Sequence, residues 1–116
     1  MSRAFADLHI HSRASFDSLA SPASLVRTAA ARGLTHLAIT DHDRIDGALE
    51  ARDHAAHDAD AMNAADGVPG VNVIVGEEVR TADGDLICLF LERAIAPGLS
   101  AEETIAAARS QGALVG

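Results

Sequence analysis

The 116-residue chain has no Trp, no Tyr and no Lys, a single Cys and three Pro. Without Trp or Tyr, and with Phe at only three positions, a core has to be assembled from Ala, Leu, Ile and Val. The absence of Lys excludes a Gly-x-x-x-x-Gly-Lys nucleotide loop. The lone Cys88 excludes an intrachain disulfide and gives no argument for an oxidising compartment. No apolar run approaches the roughly 18 residues of a membrane span, and Met1 to Ala6 lacks the basic-then-apolar order of a secretion signal. A soluble, cytoplasmic protein with no membrane partner is expected. Nine basic residues, all Arg, stand against 17 acidic ones, and the net charge of −8 disfavours direct binding of duplex DNA. What is present is 48% hydrophobic, enough to fold one domain over residues 1–116. Six histidines are the unusual feature.

Ala6, Leu8 and Ile10 alternate with Asp7, His9 and His11, so a strand is expected from about Ala4 to His11 with the three polar side chains on one face. Ser21-Pro22 predicts the start of a helix that continues through Leu25, Val26, Ala29 and Ala30 and stops at Gly33. Leu34 to Thr40 reads as a short buried strand, Ile45 to about Ala65 as an Ala-rich helix, and 66–70 as a turn. The β-branched run Val71 to Val75 predicts a strand buried on both faces, ending in Gly76-Glu77-Glu78-Val79. Val79-Arg80-Thr81 and Leu86 to Leu91 flank Asp83-Gly84, which predicts a local hairpin. Ser100 introduces a helix over Ala101 to Ser110, with Gly112 behind it and a further strand beginning at Ala113. Strands alternating with helices give an α/β class with mainly parallel strands. A closed βα barrel takes about 200 residues or more, so only part of one fits here. The domain is therefore expected to be truncated at its C-terminus, with exposed strand edges that invite self-association.

Two imidazoles two residues apart, His9 and His11, can enter one metal's coordination sphere, with Asp7 beside them to orient a ring. A polar strand edge would carry the same pattern. Thr40-Asp41-His42-Asp43 brackets an imidazole with two carboxylates, although Asp at a strand end also caps helices. Glu77 and Glu78 close the third strand and face opposite sides. In parallel α/β folds the carboxyl ends of the strands lie together at the ligand-binding face. One shared metal site accounts for His, Asp or Glu at three successive strand ends, and such donors suit Zn²⁺, Mn²⁺ or Fe²⁺. Elsewhere, His54, His57 and His36 read as solvated helix-face or strand-edge residues, and Cys88 as a small core residue. Arg13 and Arg44, close to the expected site, are either phosphate clamps or surface cations.

Asp7-Leu8-His9-Ile10-His11-Ser12, Ile39-Thr40-Asp41-His42-Asp43 and Gly76-Glu77-Glu78-Val79, in that order, resemble the first motifs of the PHP superfamily, the polymerase and histidinol phosphatase domains. Ser21-Pro22, Arg32-Gly33-Leu34 and Asp46-Gly47 also match, so the resemblance covers essentially the whole chain. It implies the N-terminal portion of a distorted (β/α)7 TIM-like barrel. It also implies a metal-dependent phosphoesterase, a phosphatase that hydrolyses a small phosphorylated substrate or nucleotide through metal-activated water. By the same resemblance, His9 and His11 would bind one ion, Glu78 would bridge it to a second, and His42 would bind the last of a cluster of up to roughly three divalent ions. Asp17 stands where relatives place an Asp or His ligand, and Asp41 and Asp7 would sit behind the ligands and hold them. The family's later motifs, a further His and a terminal Asp-x-His, are not among these residues. That leaves open a noncatalytic metal-binding or structural module, such as those attached to DNA polymerases, or an inactive fragment.

Overall fold

The computed structural model describes residues 5–14, 20–65 and 71–116, with side chains for all of these except 57–65. Its elements follow in the order β1 (Ala6–Ile10), α1 (Pro22–Ala31), β2 (His36–Ile39), α2 (Asp46–Ala65), β3 (Asn72–Thr81), β4 (Gly84–Leu89), α3 (Ala101–Ser110) and β5 (Leu114–Val115). The five strands form one sheet in sequence order. β1, β2 and β3 pair in parallel, whereas β3–β4 and β4–β5 pair antiparallel. The sheet is thus mixed, not mainly parallel by pairing. The hairpin strand β4 stays beside β3 and separates it from β5, which runs in the same direction as β3. The expected turn over 66–70 lies outside the described residues. No helix among those described is long and apolar enough to cross a membrane.

Helix boundaries follow local chemistry. The Ser21 side chain accepts from the Ser24 N–H, and Pro22 occupies the first turn, where its missing N–H has no cost. α1 ends at Gly33, whose φ of +79° turns the chain so that Gly33 N–H donates to Ala30 and Leu34 N–H to Ala29. Gly112, with φ +80°, ends α3 by the same pair of bonds to Arg109 and Ala108. At the start of α3, Ser100 accepts from the Glu103 N–H while the Glu103 carboxylate accepts from the Ser100 N–H. Ser100→Ala is expected to cost about 1 kcal/mol of stability, checked by urea denaturation, with Ser100→Asp retaining most of it.

The core matches the aromatic-poor composition. Ala48, Ala51 and Ala55 form a buried stripe on α2 that packs with Leu37, Ile39 and Val75 of the sheet, and Val26 and Ala29 bring in α1. His54 is half-exposed on α2, 4.0 Å from Glu50 one turn earlier. Cys88 is fully buried, and burial pushes its thiol up to about 11, so it is an inert core residue.

β3 extends six residues beyond the run Val71 to Val75 by changing partners. Residues Asn72 to Val75 pair with β2, and Gly76 to Thr81 pair with β4. Gly76 sits at the change, where a Cβ would come 2.8 Å from the Cys88 carbonyl oxygen and 2.9 Å from Thr40 Cγ2. Glu77 and Glu78 are therefore mid-strand residues, not the strand end that a glycine and two acids indicate in the sequence. The hairpin turn falls on Ala82-Asp83, one residue earlier than expected, and Gly84 already pairs with Thr81.

Candidate metal centre

Three chain segments meet at Glu78. β1 brings His9, the residue directly after β1 is His11, the segment after β2 brings His42, and β3 brings Glu78 itself. Glu78 Oε1 lies 3.0 Å from His9 Nε2, and Oε2 lies 3.4 Å from His11 Nε2 and 2.8 Å from His42 Nδ1. The His11 and His42 rings meet edge to face at 4.3 Å between centroids, and the His9 and His11 centroids are 5.3 Å apart. Glu78 is buried, His11 and His42 are partly covered, and the His9 side chain is 54% exposed, so the cluster opens to solvent at His9.

The backbone explains why His42 arrives there. Past the end of β2 the chain keeps pairing with β3: Glu78 N–H donates to the Asp41 carbonyl and Asp43 N–H donates to the Glu78 carbonyl. Asp43 then turns with φ +54°, a left-handed conformation that Asp tolerates better than most residues. Its carboxylate accepts from the Arg80 N–H at 2.8 Å, which fixes the turn to β3. His42 is thereby set directly across from Glu78.

His9, His11 and Glu78 each place one ligand atom within 4.8 Å of the others. Donors on one tetrahedral ion lie roughly 3.4 Å apart when its bonds are about 2.0–2.2 Å, so this triad fits a divalent cation with little movement. Imidazole nitrogen and carboxylate oxygen are the donor types that such ions share. His42 joins through the same carboxylate. Asp17 lies outside the described residues.

The two acids expected behind the ligands take different positions. Asp41 is fully buried and accepts from the Ser12 N–H at 2.5 Å and the Ser12 hydroxyl at 2.6 Å. Asp7 accepts from the His9 N–H at 3.2 Å and reaches no imidazole among the described residues. The expectation that Asp7 shares a face with His9 and His11 fails at a bulge. β1 takes three steps from Asp7 to Ile10 while β2 takes two from Leu37 to Ile39, which breaks the alternation. Asp7 and Ile10 instead line a crevice with Leu25, Thr28 and Ala29 of α1.

Glu77 faces away from the imidazoles, as alternation requires. It is fully buried, its Oε1 accepts from the Ile95 N–H at 2.8 Å, and Oε2 has no partner among the described residues. Burial pushes its carboxyl up to about 7, against the opposing effect of the Ile95 N–H, and the Asp43 charge adds to the rise. Arg13 and Arg44 border an open cavity of about 360 Å³ with Ala14, Gly47 and Glu50. Each already has an acid: Arg13 lies 3.7 Å from Glu50, and the Arg44 Nε donates to Asp46 at 2.9 Å. That pairing holds the Asp46 carboxyl below its ordinary value. Ser12 and Gly47 fall in the motifs quoted from the sequence, but their part in the site is not visible there, because it lies in their approach to each other and to Asp41 in the folded chain.

Sheet and donor set together define an α/β protein with a candidate divalent-metal centre. The profile of the PHP domain matches residues 7–113, and the chain belongs to that family. An uncharacterized protein of Methanocaldococcus jannaschii is 35% identical over 119 residues, covering 94% of this chain and 63% of that protein. The error-prone DNA polymerase of Mycobacterium tuberculosis is 48% identical over 54 residues, 46% of this chain and 5% of the polymerase. Among solved structures, a two-domain protein of Bacteroides vulgatus containing a predicted PHP-like metal-dependent phosphoesterase superposes with a TM-score of 0.69 at 25% identity. An amidohydrolase of Chromobacterium violaceum, solved with sulfate and no metal, superposes with a TM-score of 0.62 at 30% identity. These superpositions cover 95% and 92% of this chain, which spans 33% of each solved chain.

Proposed function

We propose that the protein is a metal-dependent phosphoesterase whose centre is built on Glu78, with this chain forming the N-terminal part of a distorted (β/α)7 barrel. The observation that carries the reading is the division of Glu78: one carboxylate oxygen faces His9 and the other lies between His11 and His42. A carboxylate so placed would be shared between divalent cations, which His9, His11 and His42 would hold around it. Asp17 completes the proposed ligand set. Bound divalent ions, Zn²⁺, Mn²⁺ or Fe²⁺, supply Lewis acidity that makes water a nucleophile at neutral pH and offsets phosphate charge. The chain's own residues hold the donors in register and leave the His9 side open for a small phosphorylated substrate or nucleotide. The test is metal content by mass spectrometry together with hydrolysis of p-nitrophenyl phosphate and mononucleotides in Mn²⁺ or Zn²⁺. Bound metal with metal-dependent hydrolysis is the expected result; a folded protein with neither overturns the reading.

The match to an error-prone DNA polymerase favours a second reading, a polymerase-associated module that binds metal without hydrolysing esters. Bound metal with no turnover of monoesters or oligonucleotides would select it.

A further inference from the structure

We infer that Ser12, Asp41 and Gly47 form a latch that sets the spacing of the two histidine-bearing segments, which makes them positioning residues for the proposed metal centre. Ser12 follows His11 by one residue and Asp41 precedes His42 by one. The Asp41 carboxylate takes both donors of Ser12, the N–H on Oδ1 and the hydroxyl on Oδ2. The same hydroxyl accepts from the Ala14 N–H at 3.1 Å, so its rotation is fixed from both sides. Ser12 and Asp41 are both fully buried, where hydrogen bonds to a charged group are strong.

Gly47 adds the third element. A Cβ on Gly47 would stand 2.2 Å from Ser12 Oγ and 2.5 Å from Asp41 Oδ2, so the first turn of α2 lies directly against the bonded pair. Only a residue without a side chain lets α2 close over the latch. The ends of β1 and β2 and the start of α2 are thus joined at one buried point, one residue from each of two imidazoles. Among the described residues, backbone pairing between β1 and the chain beyond Ile39 consists of the bond from Thr40 N–H to the Ile10 carbonyl. The latch supplies the restraint that keeps the His11 and His42 rings 4.3 Å apart.

The inference rests on the metal-centre reading for its consequence but not for its geometry, and the experiment separates the two. In metal-free protein, the nuclear Overhauser contact between the His11 and His42 rings and the exchange protection of the Ser12 amide report the latch directly. Ser12→Ala, Asp41→Asn and Gly47→Ala are expected to weaken the ring contact and lower Ser12 protection at least about tenfold. Val26→Ala, a core change distant from the latch, lowers the melting temperature and leaves both signals unchanged. In Co²⁺-loaded protein, the latch variants are expected to bind the ion about 10- to 100-fold more weakly, the range for groups that orient metal ligands, with an altered visible spectrum. Asp41→Asn, which keeps an acceptor for the Ser12 N–H, is expected to lie between wild type and Ser12→Ala. If folded Ser12→Ala and Asp41→Asn keep the wild-type ring contact and Ser12 protection, the latch is overturned. If wild type binds no Co²⁺ while the ring contact responds to Ser12→Ala, the metal reading fails and the latch stands.

Discussion

Glu78→Gln is expected to lower divalent-metal affinity at least about 100-fold while leaving the metal-free fold intact. A neutral amide keeps the shape of the side chain but removes the charge on which three imidazoles converge, at 3.0, 3.4 and 2.8 Å. It also ends the ability to bridge, because an amide offers one oxygen where the carboxylate offers two. The loss exceeds that for groups that merely orient a ligand, about 10- to 100-fold, since Glu78 supplies the donor atoms themselves. Thermal melts make the change visible. A ligand present at about 100 times its Kd adds about 2.7 kcal/mol to folding, and nearly all of that increment vanishes when affinity drops 100-fold. Isothermal titration with Mn²⁺ and melting curves with and without it provide the check. An equal metal-induced rise in wild type and Glu78→Gln would remove Glu78 from the centre.

The neighbouring acid gives an opposite result. Glu77→Gln is expected to stabilise the metal-free protein above pH 7 and to change little near pH 4.5. The Glu77 carboxyl is raised from 4.5 to about 7, chiefly by burial. The native state therefore holds its proton more tightly than the unfolded chain does. The stability this gives is fully present below pH 4.5 and is lost as pH rises through 7, where ionisation places a charge in the core. The full difference is on the order of 3 kcal/mol. Gln keeps an acceptor for the Ile95 N–H and cannot ionise, so its stability curve lacks that decline. Urea denaturation between pH 4.5 and 8.5 in a chelator, wild type against Glu77→Gln, measures the divergence. Parallel curves would show that Glu77 carries no such penalty.

The contrast between these adjacent carboxylates was legible in the sequence, because consecutive residues of a strand face opposite sides. Which of them meets the histidines was not given by spacing; the pairing of Glu78 with His42 decides it. The helix ends were equally plain: Ser21 and Ser100 start helices, and Gly33 and Gly112 stop them, through bonds that span five residues or fewer. Alternation puts Asp7 on the face of His9 and His11, and a bulge that exists only relative to β2 breaks it. Val71 to Val75 and the hairpin arm Val79 to Thr81 read as separate segments in the sequence, and they are one strand because Gly76 to Thr81 is held by β4, a partner that arrives later in the chain.

By itself, then, the sequence determined the α/β class, the caps, the aromatic-poor core and the kinds of residue gathered for a metal, because each follows from near neighbours or from composition. Only the tertiary structure decided the mixed pairing of the sheet, the length of β3, the departure of Asp7 and the seating of Gly47 on Ser12 and Asp41. These depend on pairing register and clearance between segments that meet only in the folded chain, which no local pattern encodes.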